Sequence, residues 1–162
     1  MLFKSTIENF QDIKQELLNK ISVFSNVRHT NVDQTCISDW DLPTETPREY
    51  GELFLKAVKP HLEHMKESLK VENYEIINYW FQQYQNNDYH GWHVHRSCHY
   101  ANVFFIECES EDRTRFKHFD LDCKEGDVIS FPAFFPHSSY SSNPNRRKTV
   151  IAFNTDFFCY HD

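Results

Sequence analysis

The hydrophobic period changes once along the chain, and that change limits the possible folds more than any other feature. Up to about residue 70, apolar residues recur at three- and four-residue steps; from Tyr74 onward they follow the two-residue alternation of extended strands. Leu2, Phe3, Ile7, Phe10, Ile13, Leu17 and Ile21 form one helical stripe, with Glu8, Asp12, Lys14, Glu16 and Lys20 on other faces. A second stripe, Tyr50, Leu53, Phe54, Ala57, Val58, Leu62, Met65 and Leu69, predicts a helix capped by Thr46, with Pro47 in its first turn. Pro60 is expected to kink or split it. His61 and His64 in this helix match neither zinc-protease spacing and are expected at the surface. Residues 26–47 show neither period and read as a long loop, pinned by a buried Trp40.

Strands are predicted at 74–83, 101–108, 115–120, 128–131 and 147–158. Turn signals stand at Asn86-Asn87-Asp88 and Lys124-Glu125-Gly126-Asp127, and Ser141 to Asn145 is a polar loop. Two helices followed by at least five strands, with no helix between the strands, imply an antiparallel sheet pair. The expected fold class is therefore an all-β core with N-terminal helices. It forms a single domain over 1–162, with 1–70 as helical support and loop and 74–158 as the core. Fifteen Phe, eight Tyr and three Trp supply the bulk for such an interior, and with three glycines the turns rely on Asn, Asp and Pro.

Lys and Arg total 17 against 24 Asp and Glu, a formal charge of −7, which argues against a general nucleic-acid coat. Arg146-Arg147-Lys148 is the sole basic triplet, and Arg146 reads as a solvated strand residue. Five cysteines without a CxxC pair, no apolar run of signal-peptide length and no stretch near ~18 apolar residues predict a soluble, cytoplasmic protein. Its thiols are expected to be free and its surface not bound to a membrane.

Ten histidines are many for this length. His29, His118 and His161 are expected at the surface, and His90 and His99 either support a site or are exposed. His93 and His95 are i and i+2 on an extended segment and can point to one face, where His137 can meet them across a sheet. Three neutral imidazoles suit iron, zinc, nickel or copper better than magnesium or calcium.

These positions resemble those of a known family. Tyr84-x2-Asn87-x5-His93-x-His95 is similar to the start of the iron(II)/2-oxoglutarate oxygenase core. The likeness is greater to its prolyl-4-hydroxylase-like branch and to small phage-type and bacterial members. Gly126-x4-Phe131-x5-His137 resembles the segment with that family's distal histidine, and Arg147-x-Thr149, ten residues later, resembles its carboxylate-gripping Arg-x-Ser. The resemblance spans about residues 74–158. It implies a double-stranded β-helix, or jelly roll, with Fe(II), 2-oxoglutarate and O2 as cofactor and co-substrates, and a small-molecule or peptide substrate such as a prolyl side chain. His93, His95 and His137 become metal ligands. Arg147 and Thr149 hold the far carboxylate of 2-oxoglutarate with help from Tyr84, and Lys148 takes that role if a bulge shifts the strand. Trp92, Phe104, Phe131 and Phe134 become pocket walls.

Two positions depart from the family pattern. Asn87 replaces a glycine, which is mild because Asn tolerates positive φ. His95 replaces the carboxylate of the usual two-histidine, one-carboxylate set. Asp120 or Asp122 could instead bring a carboxylate from a neighbouring strand. Two alternatives therefore stand beside the oxygenase. One is a three-histidine, cupin-type metal dioxygenase that needs no 2-oxoglutarate. The other is a jelly-roll binding module whose histidines hold a structural metal or none, with Cys98 as a fourth ligand.

Overall fold

The computed structural model describes residues 1–141 and 143–159. His161 and, within the polar loop, Ser142 lie outside the described residues. A curled antiparallel sheet is backed by two helices, the half-barrel arrangement of a jelly roll. Its strand order is β1 (Phe3–Thr6), β8 (Asp127–Pro132), β6 (Tyr100–Glu107), β10 (Lys148–Phe158), β4 (Asn73–Tyr84), β3 (Gln34–Ser38), β5 (Tyr89–His93), β9 (His137–Tyr140) and β7 (Arg115–Phe116), with β2 (Arg28–Thr30) paired to β3.

The first apolar stripe divides in two. Leu2 and Phe3 do not belong to a helix: β1 (Phe3–Thr6) pairs with β8 (Asp127–Pro132), and α1 (Phe10–Ser22) begins only after Asn9 turns the chain at φ 54°. Helical spacing could not reveal this break, because Phe3 buries one side of a strand as readily as one side of a helix. The segment 26–47 is not a plain loop either. It carries β2 (Arg28–Thr30) and β3 (Gln34–Ser38), and β3 alternates buried and half-buried residues. Trp40 lies at the surface, 44% exposed, and packs edge-on against Trp80.

Helix α2 (Tyr50–Leu69) starts after Glu49 without a side-chain cap and runs through Pro60 as one helix. His61 is buried, contrary to the surface placement expected from its spacing. Its Nδ1 lies 2.5 Å from Ser5 Oγ and its Nε2 2.8 Å from Ser130 Oγ. Both partners are distant in sequence, so the helical pattern around His61 carries no trace of them. His29 is half-buried against Asp41, while His118 is exposed as expected.

The remaining strands are β4 (Asn73–Tyr84), β5 (Tyr89–His93), β6 (Tyr100–Glu107), β7 (Arg115–Phe116), β9 (His137–Tyr140) and β10 (Lys148–Phe158). The third predicted strand shrinks to two residues, and His137 opens a short strand of its own.

Strand alternation divides the interior. On one face Phe81, Phe104, Ile151 and Phe153 pack against Phe10, Leu17, Tyr50, Phe54 and Val58 of the helices. On the other, Tyr84, Phe105, Phe131 and Val150 pack with Cys36, Phe116 and Ile129. That second face curls around the candidate site. Because both faces are apolar, the sheet reads as hydrophobic runs with little alternation to mark its register.

Candidate functional site

The site grows from the end of β5. His93 pairs directly with His137 of β9, and the register shifts between His90 and His93. Irregular backbone then leads to His95, held by its N–H to the Ala133 carbonyl at 2.8 Å. The ligand nitrogens of His93, His95 and His137 lie within 4.8 Å of one another, and among the described residues this is the one such group of His, Cys, Asp or Glu side chains. Ring centroids are 4.1 Å apart for His93–His137, 5.4 Å for His93–His95 and 5.2 Å for His95–His137. Metal–nitrogen bonds of about 2.1 Å set neighbouring ligands roughly 3 Å apart, so small ring rotations close the set on one ion.

The outer hydrogen bonds point the same way. His93 Nδ1 donates to Gly91 O at 2.8 Å, His137 Nδ1 to Phe135 O at 2.9 Å, and His95 Nδ1 to Asn154 Oδ1 at 2.7 Å. Carbonyl oxygens accept only, so each Nδ1 carries the proton and each Nε2 keeps a lone pair for a ligand bond. Burial lowers all three imidazoles, His93 to about 4 and His137 to about 2, so they are neutral at ordinary pH. Neutral imidazole is the ligating form, and the residues fit a divalent transition metal.

The sheet interior leads inward from the histidines through a narrow cavity of about 30 Å³, walled by Trp80, Gln82, Phe131, Val150 and Ala152 and bordered by Tyr84 and Ser139. Lys148, Val150, Ala152 and Asn154 share this face of β10. Lys148 is fully buried beside the cavity, with its Nζ 2.7 Å from the bordering Ser139 Oγ. Burial lowers its pKa to about 8, against the opposing pull of nearby groups that include the buried Asp112 carboxylate. The buried Tyr84 hydroxyl makes no hydrogen bond of ordinary geometry, and burial pushes it well above its usual value.

Arg147 and Thr149 face away. Arg147 makes a two-pronged pair with Glu107, at 2.8 and 2.9 Å, and Thr149 Oγ1 donates to the same carboxylate at 2.5 Å. Their expected grip on a co-substrate does not match this placement. The reason is register: Arg147 and Thr149 share one side of β10 and Lys148 takes the other.

The predicted walls separate similarly. Phe131 lines the cavity and packs edge-on to His137. Phe104 belongs to the helix-facing core, where it meets Phe10. Trp92 and Phe134 are exposed, 53% and 71%. Asp120 and Asp122 are exposed, with Asp120 paired to Arg113, and neither joins the histidine group; Cys98 also stays outside it.

Spacing did not single out Trp80, Gln82 or Ser139 as cavity residues. It had also left open the role of His90, which stacks on His93 with centroids 3.6 Å apart. Alternation along 78–84 could have found Trp80 and Gln82, since they share Tyr84's face. On the solvent side an open cleft of about 400 Å³ exposes His93 and His95 between Trp40, Asn78, Trp80 and Arg96. Among the described residues no helix is long and apolar enough to cross a membrane.

No known family pattern matches the sequence, and no curated protein matches it. Solved structures do match. A Pseudomonas putida prolyl-4-hydroxylase shares 12% identity over 99% of this chain and 93% of its own, with a TM-score of 0.67. The viral collagen prolyl hydroxylase of Paramecium Bursaria Chlorella virus-1, solved with 2-oxoglutarate, shares 14% identity over 94% and 95%, with a TM-score of 0.64. A Trichoplax adhaerens prolyl hydroxylase, in complex with a peptide fragment of the hypoxia inducible factor oxygen degradation domain, shares 9% identity over 97% and 83%, with a TM-score of 0.68. At these identities the likeness is one of fold, and this chain has the jelly-roll fold of the prolyl-4-hydroxylases and other 2-oxoglutarate, iron(II) oxygenases.

Proposed function

We propose that this protein is a non-haem Fe(II)- and 2-oxoglutarate-dependent oxygenase that hydroxylates a side chain presented at the cleft. One arrangement carries the reading. Three imidazoles offer free Nε2 atoms to a cavity bordered by Ser139, to which the buried Lys148 ammonium is hydrogen-bonded.

His93, His95 and His137 would hold the metal. Bound there, iron supplies O2 activation coupled to decarboxylation of 2-oxoglutarate to succinate. Lys148 offers a fixed positive charge to the distal carboxylate, and the unpartnered Tyr84 hydroxyl donates beside it. The cavity holds only about 30 Å³, so seating a five-carbon dicarboxylate requires its walls to part and the Lys148 ammonium to leave Ser139. Phe131, Val150 and Ala152 keep water from the inner end, where the charge pair is strongest. The cleft beside Trp40 and Trp80 admits the group to be oxidised, a peptide side chain or a small molecule.

The absence of a carboxylate from the histidine group favours a second reading, a three-histidine metal dioxygenase that uses no 2-oxoglutarate. Aerobic incubation of Fe(II)-loaded protein with 2-oxoglutarate separates the two. Succinate forming in step with 2-oxoglutarate loss supports the oxygenase. Oxygen uptake without succinate supports the alternative.

A further inference from the structure

His95 is the ligand position where this chain departs from the carboxylate of the resembled pattern, and its outer support is built differently from that of the other two histidines. His93 and His137 lean on backbone carbonyls two residues before them. His95 leans on a side chain from another strand: its Nδ1 meets Asn154 Oδ1 at 2.7 Å. Asn154 Nδ2 donates in turn to Asn78 Oδ1 at 2.9 Å, an arrangement that leaves the Asn154 oxygen toward His95.

Asn78 and Asn154 are direct partners across β4 and β10, and the register slips immediately beyond them, where Thr155 pairs with Ile76 and Ile77 is left over. Such a bulge beside a site re-aims side chains that a regular ladder would point elsewhere. Asn78 and Asn154 both line the cleft.

We infer that Asn154 is the positioning residue that makes His95 a metal ligand, and that Asn78 locks Asn154 from the cleft side. The inference rests on the three-histidine metal reading and extends it to two residues that take no part in the metal's own coordination. Burial keeps the His95 imidazole neutral, and the Asn154 amide oxygen behind it accepts its N–H without bringing a full charge. An aspartate in its place would accept the same hydrogen bond and make His95 a stronger donor.

Metal binding by the purified, metal-free protein tests this without reference to turnover. Co(II) is titrated against a competing chromophoric chelator, the visible Co(II) spectrum is recorded, and the thermal midpoint is measured in the absence of metal. Asn154→Leu is expected to weaken Co(II) about 10- to 100-fold and alter its spectrum, while Asn154→Asp binds at least as tightly as the parent. Asn78→Leu is expected to give a smaller loss of the same kind. A role confined to the sheet would lower the metal-free midpoint of Asn154→Leu and leave its Co(II) affinity and spectrum unchanged, which overturns the inference. Equal loss in Asn154→Leu and Asn154→Asp also overturns it. A parent protein that binds no Co(II) overturns the metal reading and the inference together, whereas a parent that binds while Asn154→Leu matches it overturns the inference alone.

Discussion

Lys148 and Tyr84 stand directly opposite one another on β10 and β4, and the lysine ammonium lies 5.5 Å from the centre of the tyrosine ring. Tyr84 borders the cavity that the histidine group also lines, and Lys148 adjoins it through Ser139. A cation with a ring face beside it and a hydroxyl within reach is a fitting receptor for a carboxylate.

Arg147 and Lys148 should therefore behave oppositely. Lys148→Ala is expected to weaken 2-oxoglutarate by about 100-fold or more, the usual loss when one member of a buried charge pair is removed. Arg147→Ala, which removes an exposed ion pair with Glu107, should change it by no more than about threefold. Isothermal titration with metal-loaded protein measures both.

Lys148 also carries a cost in stability. Burial lowers it to about 8 from an ordinary 10.5, so the folded state holds its proton less tightly than the unfolded chain. This group's contribution to stability is least favourable below pH 8 and improves as pH rises from 8 to 10.5. Lys148→Met at pH 7 should raise the thermal midpoint, by about 1–3 kcal/mol in stability, while abolishing 2-oxoglutarate binding. Thermal melts of parent and variant at pH 7 and pH 10 should show the gap shrinking at the higher pH.

The same titration governs the ligand. In the free protein Lys148 is charged below about pH 8, so 2-oxoglutarate affinity should be flat there, and above it fall about tenfold per pH unit. Affinity measured at half-unit steps from pH 6.5 to 9.5 checks this, and a profile flat to pH 9.5 would remove Lys148 from the role.

His61 sets an acid limit on the fold. Burial lowers it to about 4, while an unfolded imidazole titrates near 6.5. The unfolded chain therefore takes up the proton first, and this contribution to stability is lost as pH falls from 6.5 to 4, up to about 3 kcal/mol. His61→Gln should lower stability at pH 7 through loss of the Ser5 and Ser130 contacts, yet show a shallower decline from pH 6.5 to 4 in chemical denaturation.

Gly126 tests the turn that feeds β8. Its φ is 85°, and an added Cβ would lie 2.9 Å from the Phe10 ring. Gly126→Ala combines positive-φ strain with a clash at helix α1, and about 2–3 kcal/mol should be lost in denaturant unfolding.

The helix-then-strand plan was legible because both periods are strong, and the histidine group because the i and i+2 spacing of His93 and His95 is a local feature. Register was not. Arg147, Lys148 and Thr149 are all polar, and on either side of β10 Val150, Ile151, Ala152 and Phe153 are all buried, so no polar alternation marks which residue faces the cavity. A slip of one residue exchanges Arg147 for Lys148, and Phe104 misled for the same reason: it lies between Val103 and Phe105, and all three are buried. His61 depends on Ser5 and Ser130, contacts that only the closed sheet creates.

The most direct measurement is an anaerobic titration of 2-oxoglutarate into the Fe(II)-loaded parent, Arg147→Ala and Lys148→Ala proteins, followed by the visible absorption of the iron–keto-acid chelate. The account predicts a saturable band in the parent and in Arg147→Ala, with Lys148→Ala failing to saturate at concentrations about 100-fold higher. Loss of the band in Arg147→Ala with saturation retained in Lys148→Ala, or no band in the parent, would contradict it.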